Sequence, residues 1–230
     1  MFLLLLALSA RAGDPLSDYL ALELAPASAG DDAMTQALLA KVTALKAVET
    51  DVTARVKAGD VAAIEDMGKA YEDLSFVLMH AEAPADLSRE QAALFRAVLI
   101  EKSIAPCTMA REAWRASVDR AGDAASPQAR ERADALDPAK LPKLKERALR
   151  AEARAWLAPY SAEPPPPPPP QPAAEGEQVG VLMAASDAEA LNAPDTVIGA
   201  APRPPRNPED VLYEAMSSPD ARACANARDW

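Results

Sequence analysis

Apolar residues fall at three-, four- and seven-residue intervals over most of the first 158 positions, the spacing of one helix face. A long helix is predicted from Asp31-Asp32 to Lys57, with Leu38, Val42, Leu45, Val52 and Val56 on its packing side. Gly59 suits the left-handed position that ends a helix, and Asp60 caps the next one. That helix carries Ile64, Met67, Tyr71, Leu74 and Leu78 and stops before Pro84. The short connection predicts an antiparallel hairpin.

Ser88-Arg89-Glu90-Gln91 has the form of a capping box. The helix it opens carries Leu94, Val98, Met109, Ala113 and Trp114 as its apolar stripe and reaches Ala121, with a kink or break expected at Pro106. Gly122 ends it. Ser126-Pro127 pairs an N-cap with an N1 proline and starts a short helix to Leu136. Asp137-Pro138 repeats the device. A last helix is expected from near Leu141 to Trp156, packed through Leu141, Leu144, Ala148 and Ala151 and closed by Pro159. Ahead of all these, Leu16 to Leu24 is read as a short helix ended by Pro26, within a lead-in segment 13–30.

Composition agrees with an all-α chain. Aromatics are 4% and glycines only 8 of 230 residues, too sparse for a sheet-rich fold. Of the 22 prolines, 14 follow residue 160, where the chain changes character. Pro164 to Pro170 is an unbroken run that reads as a stiff polyproline spacer within a linker 159–172, or secondarily as a ligand for a proline-binding domain. Residues 173–230 are acidic and proline-interrupted, the signature of a disordered tail. Asn207-Pro208-Glu209-Asp210 starts one island there, a short helix 208–217 with Leu212, Ala215 and Met216 on one face. It is either a docking helix that folds on a partner or a transient turn.

The N-terminus supplies an address. Phe2 to Leu8 is apolar and Ala10-Arg11-Ala12 offers small residues at −3 and −1, so residues 1–12 read as an export signal cleaved after Ala12, with Pro15 stopping the helix beyond it. The run is too short to span a membrane. The other reading is a packed or frayed N-terminal segment. Export implies a periplasmic location. Cys107 and Cys224 are either two free thiols or, in an oxidising compartment, a bridge.

Net charge is −11, which weighs against nucleic acid as a partner. Lys140, Lys143, Arg147, Arg150 and Arg154 nevertheless recur as a basic stripe. It is a solvated face, or it meets an anion, and the chain's own tethered acidic tail is the preferred occupant. No phosphate loop, dinucleotide fingerprint, nucleophile elbow or zinc-protease motif occurs, so no cofactor or metal is expected. His80 is the single imidazole and is read as a solvated residue at a helix end. Glu65, Asp66, Glu72 and Asp73 are expected to pair within their helix with Lys69.

Ile64-x-x-Met67-Gly68-x-x-Tyr71 has the spacing of the W-x2-L-G-x2-Y element of tetratricopeptide repeats, in which the glycine admits the partner helix. With Lys57-Ala58-Gly59-Asp60, Ala70 to Leu74, Pro84-x-x-Leu87-Ser88-x-Glu90-Gln91 and Pro106 to Ala113, residues 57–150 resemble the terminal repeats of large tetratricopeptide-repeat envelope proteins associated with gliding motility in Gram-negative bacteria. The tryptophan position holds Ile64, and no 34-residue period recurs. The periodic stripes and caps mark out a helical domain, 31–158, and the resemblance implies that it acts by protein–protein contact in an envelope assembly and has no catalytic residue. The alternative is a small-ligand carrier, or a carboxylate enzyme with its site between helices. An enclosed polar pocket would favour the alternative, and a solvent-open groove the interaction module.

Overall fold

The computed structural model describes residues 14–24, 31–142, 145–160 and 207–230, which contain helices and no strand. The expected export signal, the proline run and residues 173–206 lie outside the described residues. In chain order the helices are α1 (Pro15–Leu20), α2 (Asp31–Lys57), α3 (Ala63–His80), α4 (Arg89–Ala121), α5 (Pro127–Ala135), α6 (Glu146–Leu157), α7 (Pro208–Ser217) and α8 (Pro219–Cys224).

Local chemistry sets most of these ends. Gly59 takes φ +97°, and the amides of Gly59 and Asp60 donate to the carbonyls of Val56 and Arg55, closing α2 in a Schellman motif. The Ser88 hydroxyl accepts from the Gln91 amide at 3.2 Å, while the Gln91 side chain accepts from the Ser88 amide at 2.9 Å. Ser126, Asn207 and Ser218 each cap a helix whose first residue is proline. Asp14 does the same for α1, so Pro15 starts a helix where a helix stop was expected. α4 continues through Pro106 with no break. In the turn before that proline, Ser75 Oγ on α3 donates to the Ser103 carbonyl at 3.0 Å, a side-chain bond that ties α4 to α3 beside Pro106. Pro138 begins only a 3-10 turn ending at Lys140, and α6 starts at Glu146 instead of near Leu141. Its packing face is therefore Leu149, Ala153 and Leu157, with Ala148 and Ala151 exposed.

Register follows from cross-helix pairs. Arg55 meets Asp66, Glu49 meets Tyr71 and Lys41 meets Asp73, so α2 and α3 run antiparallel. Glu65 with Ser117, Glu72 with Trp114 and Ser75 with Ser103 set α3 antiparallel to α4. α3 is the central helix, buried on most sides between these two neighbours. α2 presents Leu45, Val48 and Val52, with Lys41 in step with them, as its buried face; Val42 is only partly covered.

Packing overturns further expectations. Of the apolar stripe expected on α4, Trp114 is buried but Leu94, Val98 and Met109 are exposed, and Ala92, Ala93, Ile100, Cys107 and Ala110 fill the core beside Trp114 instead. Small residues win the core here because they let α3 approach closely. The tail also does not stay unstructured to its end. Residues 207–230 belong to the same compact unit as the helices before the proline run. Leu212 is fully buried, and Met216, Ala221 and Cys224 are nearly so; α7 packs on α4 and α6, and α8 on α4. Cys107 and Cys224 form a disulfide with their Cα atoms 5.7 Å apart, which replaces the reading of two free thiols. The self-contained domain 31–158 is thus corrected to one that includes α1, α7 and α8.

Candidate functional site

α2 and α4 both lean on α3, and between them lies a groove of about 330 Å³ open to solvent. Val52, Thr53, Val56 and Lys57 come from the end of α2, Ile64 and Met67 from the start of α3, and Ala113, Ala116 and Arg120 from α4. Alanine on the α4 side leaves that wall low, so the surface stays concave. The lining is mainly apolar. Lys57 and Arg120 are exposed and form no ion pair among the described residues.

The four residues of the packing motif divide their work. Ile64 and Met67 line the groove. Gly68 lies under the Trp114 indole, and a Cβ built there would stand 2.7 Å from Trp114 Cε2. Tyr71 is buried in the α2–α3 hairpin and donates to Glu49 at 2.6 Å. Burial and Glu49 together push its phenol above its ordinary range.

Farther along α3 is a buried polar centre. Glu72, fully buried, accepts from Trp114 Nε1 at 2.9 Å, from Arg132 Nε at 3.2 Å and Nη2, and from the Arg228 amide at 3.0 Å. Arg132 also donates to the Asn226 carbonyl at 2.6 Å. Next to it, Asp73 pairs with Lys41 at 2.8 Å, and Lys41 donates to the Leu22 carbonyl at 2.7 Å and lies over the Tyr19 ring. Burial pushes the Asp73 carboxyl up, and Lys41 draws it back. The Tyr19 phenol is raised by burial and by Asp73, and donates to the Ala70 carbonyl.

Pairing of these acids within α3 is therefore corrected. Lys69 reaches only Asp66, at 3.4 Å, while Glu65 accepts from Ser117 and Ser126. The one available signal was Lys41, which falls on the same helical face as Leu45, Val48 and Val52 and so required a buried acid opposite. Arg96 is a further buried cation. It donates to the Ala81 carbonyl and stacks 3.6 Å from the Trp156 ring, and burial pulls its guanidinium down to about 10.

The basic stripe is split. Lys140 lies in the 3-10 turn beside Asp134, Lys143 is outside the described residues, and Arg147 is exposed. Arg150 pairs with Asp210 at 2.6 Å and lies over the Tyr213 ring; Arg154 and Arg89 both pair with Glu209. These acids occupy the first turn of α7, where they also suit the helix dipole. Leu212, Ala215 and Met216, the face read as a docking helix awaiting a partner, pack instead against this chain's own core. His80 is exposed at the end of α3, stacked on Phe76 with Nδ1 2.9 Å from the Phe76 carbonyl.

No helix among the described residues is long and apolar enough to cross a membrane. No protein family, curated protein or solved structure matches the chain.

Proposed function

We propose that this protein is a non-enzymatic helical interaction module that holds an apolar segment of a protein partner in the groove between α2 and α4. The observation that carries the reading is the character of that groove: concave, open, lined by Val52, Val56, Ile64 and Met67, and bordered by Lys57 and Arg120, which pair with no acid among the described residues. A surface of this kind suits an amphipathic peptide with an acid beside its apolar anchor. The buried carboxylates a hydrolytic site would draw on, Glu72 and Asp73, are committed to Arg132 and Lys41.

The resemblance to terminal tetratricopeptide repeats of envelope proteins, and the export signal read before Gly13, support a partner in a bacterial envelope assembly. The Cys107–Cys224 disulfide supports the same address, because such bonds persist in oxidising compartments.

The test uses the full chain carrying a photo-crosslinking residue in place of Val56, expressed in its native envelope. One crosslinked partner is expected, lost on Met67→Glu while helicity is retained. Crosslinks that persist in the Met67→Glu variant, or none at all, would overturn the groove as the binding surface.

A further inference from the structure

The outward face of α4 is built like an unfilled helix seam. Leu94, Val98 and Met109 are 52%, 51% and 46% exposed, three of the five large apolar residues most open to solvent among the described residues. At about 100° per residue, Leu94, Val98, Ala105, Met109 and Ala116 lie within about 60° of arc. Leu94, Ala105 and Ala116 recur every eleven residues, as do Val98 and Met109, so the stripe runs nearly straight along the axis.

Charge borders this seam asymmetrically. Glu90, Glu101 and Asp119 lie on one flank, Lys102 and Arg120 on the other, Glu112 falls in line with Leu94 at the edge of the stripe, and all six are exposed. None forms an ion pair among the described residues. Glu101 stands beside Lys102, and Asp119 beside Arg120, so at two levels about 27 Å apart the helix carries opposite charges on opposite sides of one apolar line.

We propose that a second copy of this chain covers this face, with the two α4 helices parallel about a two-fold axis along the seam. The occupant such a seam requires is apolar along one line, basic where α4 is acidic and acidic where it is basic, at the same heights. A rotated copy of α4 meets these conditions at the levels of Glu101–Lys102 and Asp119–Arg120. In the parallel arrangement Glu101 faces Lys102 of the second copy, and Asp119 faces Arg120, each twice by symmetry. In an antiparallel arrangement acid would face acid and base would face base. Exposed pairs add little affinity, so they select the orientation while the apolar seam supplies the contact. Ala116 and Arg120 border the groove as well, whereas Leu94, Val98, Glu101, Lys102 and Met109 do not, so substitutions at these last positions test the interface apart from the groove reading.

Sedimentation equilibrium of the full chain over a concentration series should show association to twice the chain mass. Glu101→Lys should raise the dimer dissociation constant roughly tenfold, two symmetry-related contacts having turned repulsive. Adding Lys102→Glu to that variant should restore dimerisation. Val98→Cys should crosslink to its own copy under mild oxidation, because a parallel seam brings the two positions together. All three positions substituted are on the exposed face, and far-UV circular dichroism checks that helicity is unchanged. A chain that stays monomeric, a dimer indifferent to Glu101→Lys, a charge swap that remains monomeric, or a dimer without the Val98→Cys crosslink would each overturn the proposal.

Discussion

Gly68 and Trp114 meet without a side chain between them: a Cβ on the glycine would stand 2.7 Å and 2.8 Å from two indole carbons. The indole cannot retreat, being fully buried and tied through Nε1 to Glu72. Gly68→Ala should therefore destabilise the protein by about 1–3 kcal/mol, although alanine is the better helix former. The denaturant midpoint at constant m-value measures this. A rise in midpoint would show that α3 and α4 can separate at no cost.

Glu72 and Arg132 form an ion pair buried as deeply as Lys41–Asp73, Arg132 being 3% and Glu72 0% exposed. Arg132→Met removes the guanidinium and leaves a buried carboxylate with only Trp114 and the Arg228 amide as donors. A loss of about 3–5 kcal/mol is expected, since an uncompensated buried charge is the costly state. Combining Arg132→Met with Glu72→Leu should cost less than the sum of the single changes, and a double-mutant cycle in urea reads the difference.

The disulfide joins residues 117 apart in sequence. Reducing it, or substituting Cys224→Ser, should lower stability by about 2–5 kcal/mol through the freedom regained by the unfolded chain and the loosened α8. Thiol titration of the folded protein should find no free cysteine until reductant and denaturant act together, because both sulfurs are in nearly buried residues.

Acid should act through Asp60. The Arg55 guanidinium bonded to it lowers its carboxyl below the ordinary value of 3.8. A lowered folded value means that its contribution is present above pH 3.8 and is lost as pH falls through the folded value. The difference in Tm between the native chain and Asp60→Asn should hold steady above pH 3.8 and close below it. Asp73 works in the opposite sense: burial raises its carboxyl, so its contribution is lost as pH rises through the folded value.

Features set by neighbours in sequence were legible, and features set by distant partners were not. The Ser88–Gln91 box, the Ser126 cap and the Gly59 stop depend on groups close by in the chain, and each stands where its residues put it. Val52, Val56, Ile64 and Met67 were legible as apolar positions, but the groove they line was not, because Ala113 and Ala116 matter through what they lack, a side chain large enough to fill the space. Leu94, Val98 and Met109 of α4 misled in a related way, since the small residues Ala92, Ala93, Ala110 and Ser103 are the ones buried. Glu72 resembled a surface acid because its guanidinium lies 60 residues away and its last amide donor 156.

That last distance has a bearing on when the protein can fold. The Arg228 amide is a ligand of the carboxylate at the middle of the helix bundle. A nascent chain cannot present it until synthesis has passed that residue and the residue has cleared the ribosome, so the centre of the bundle closes late. Late closure of so long a loop favours a slow final step.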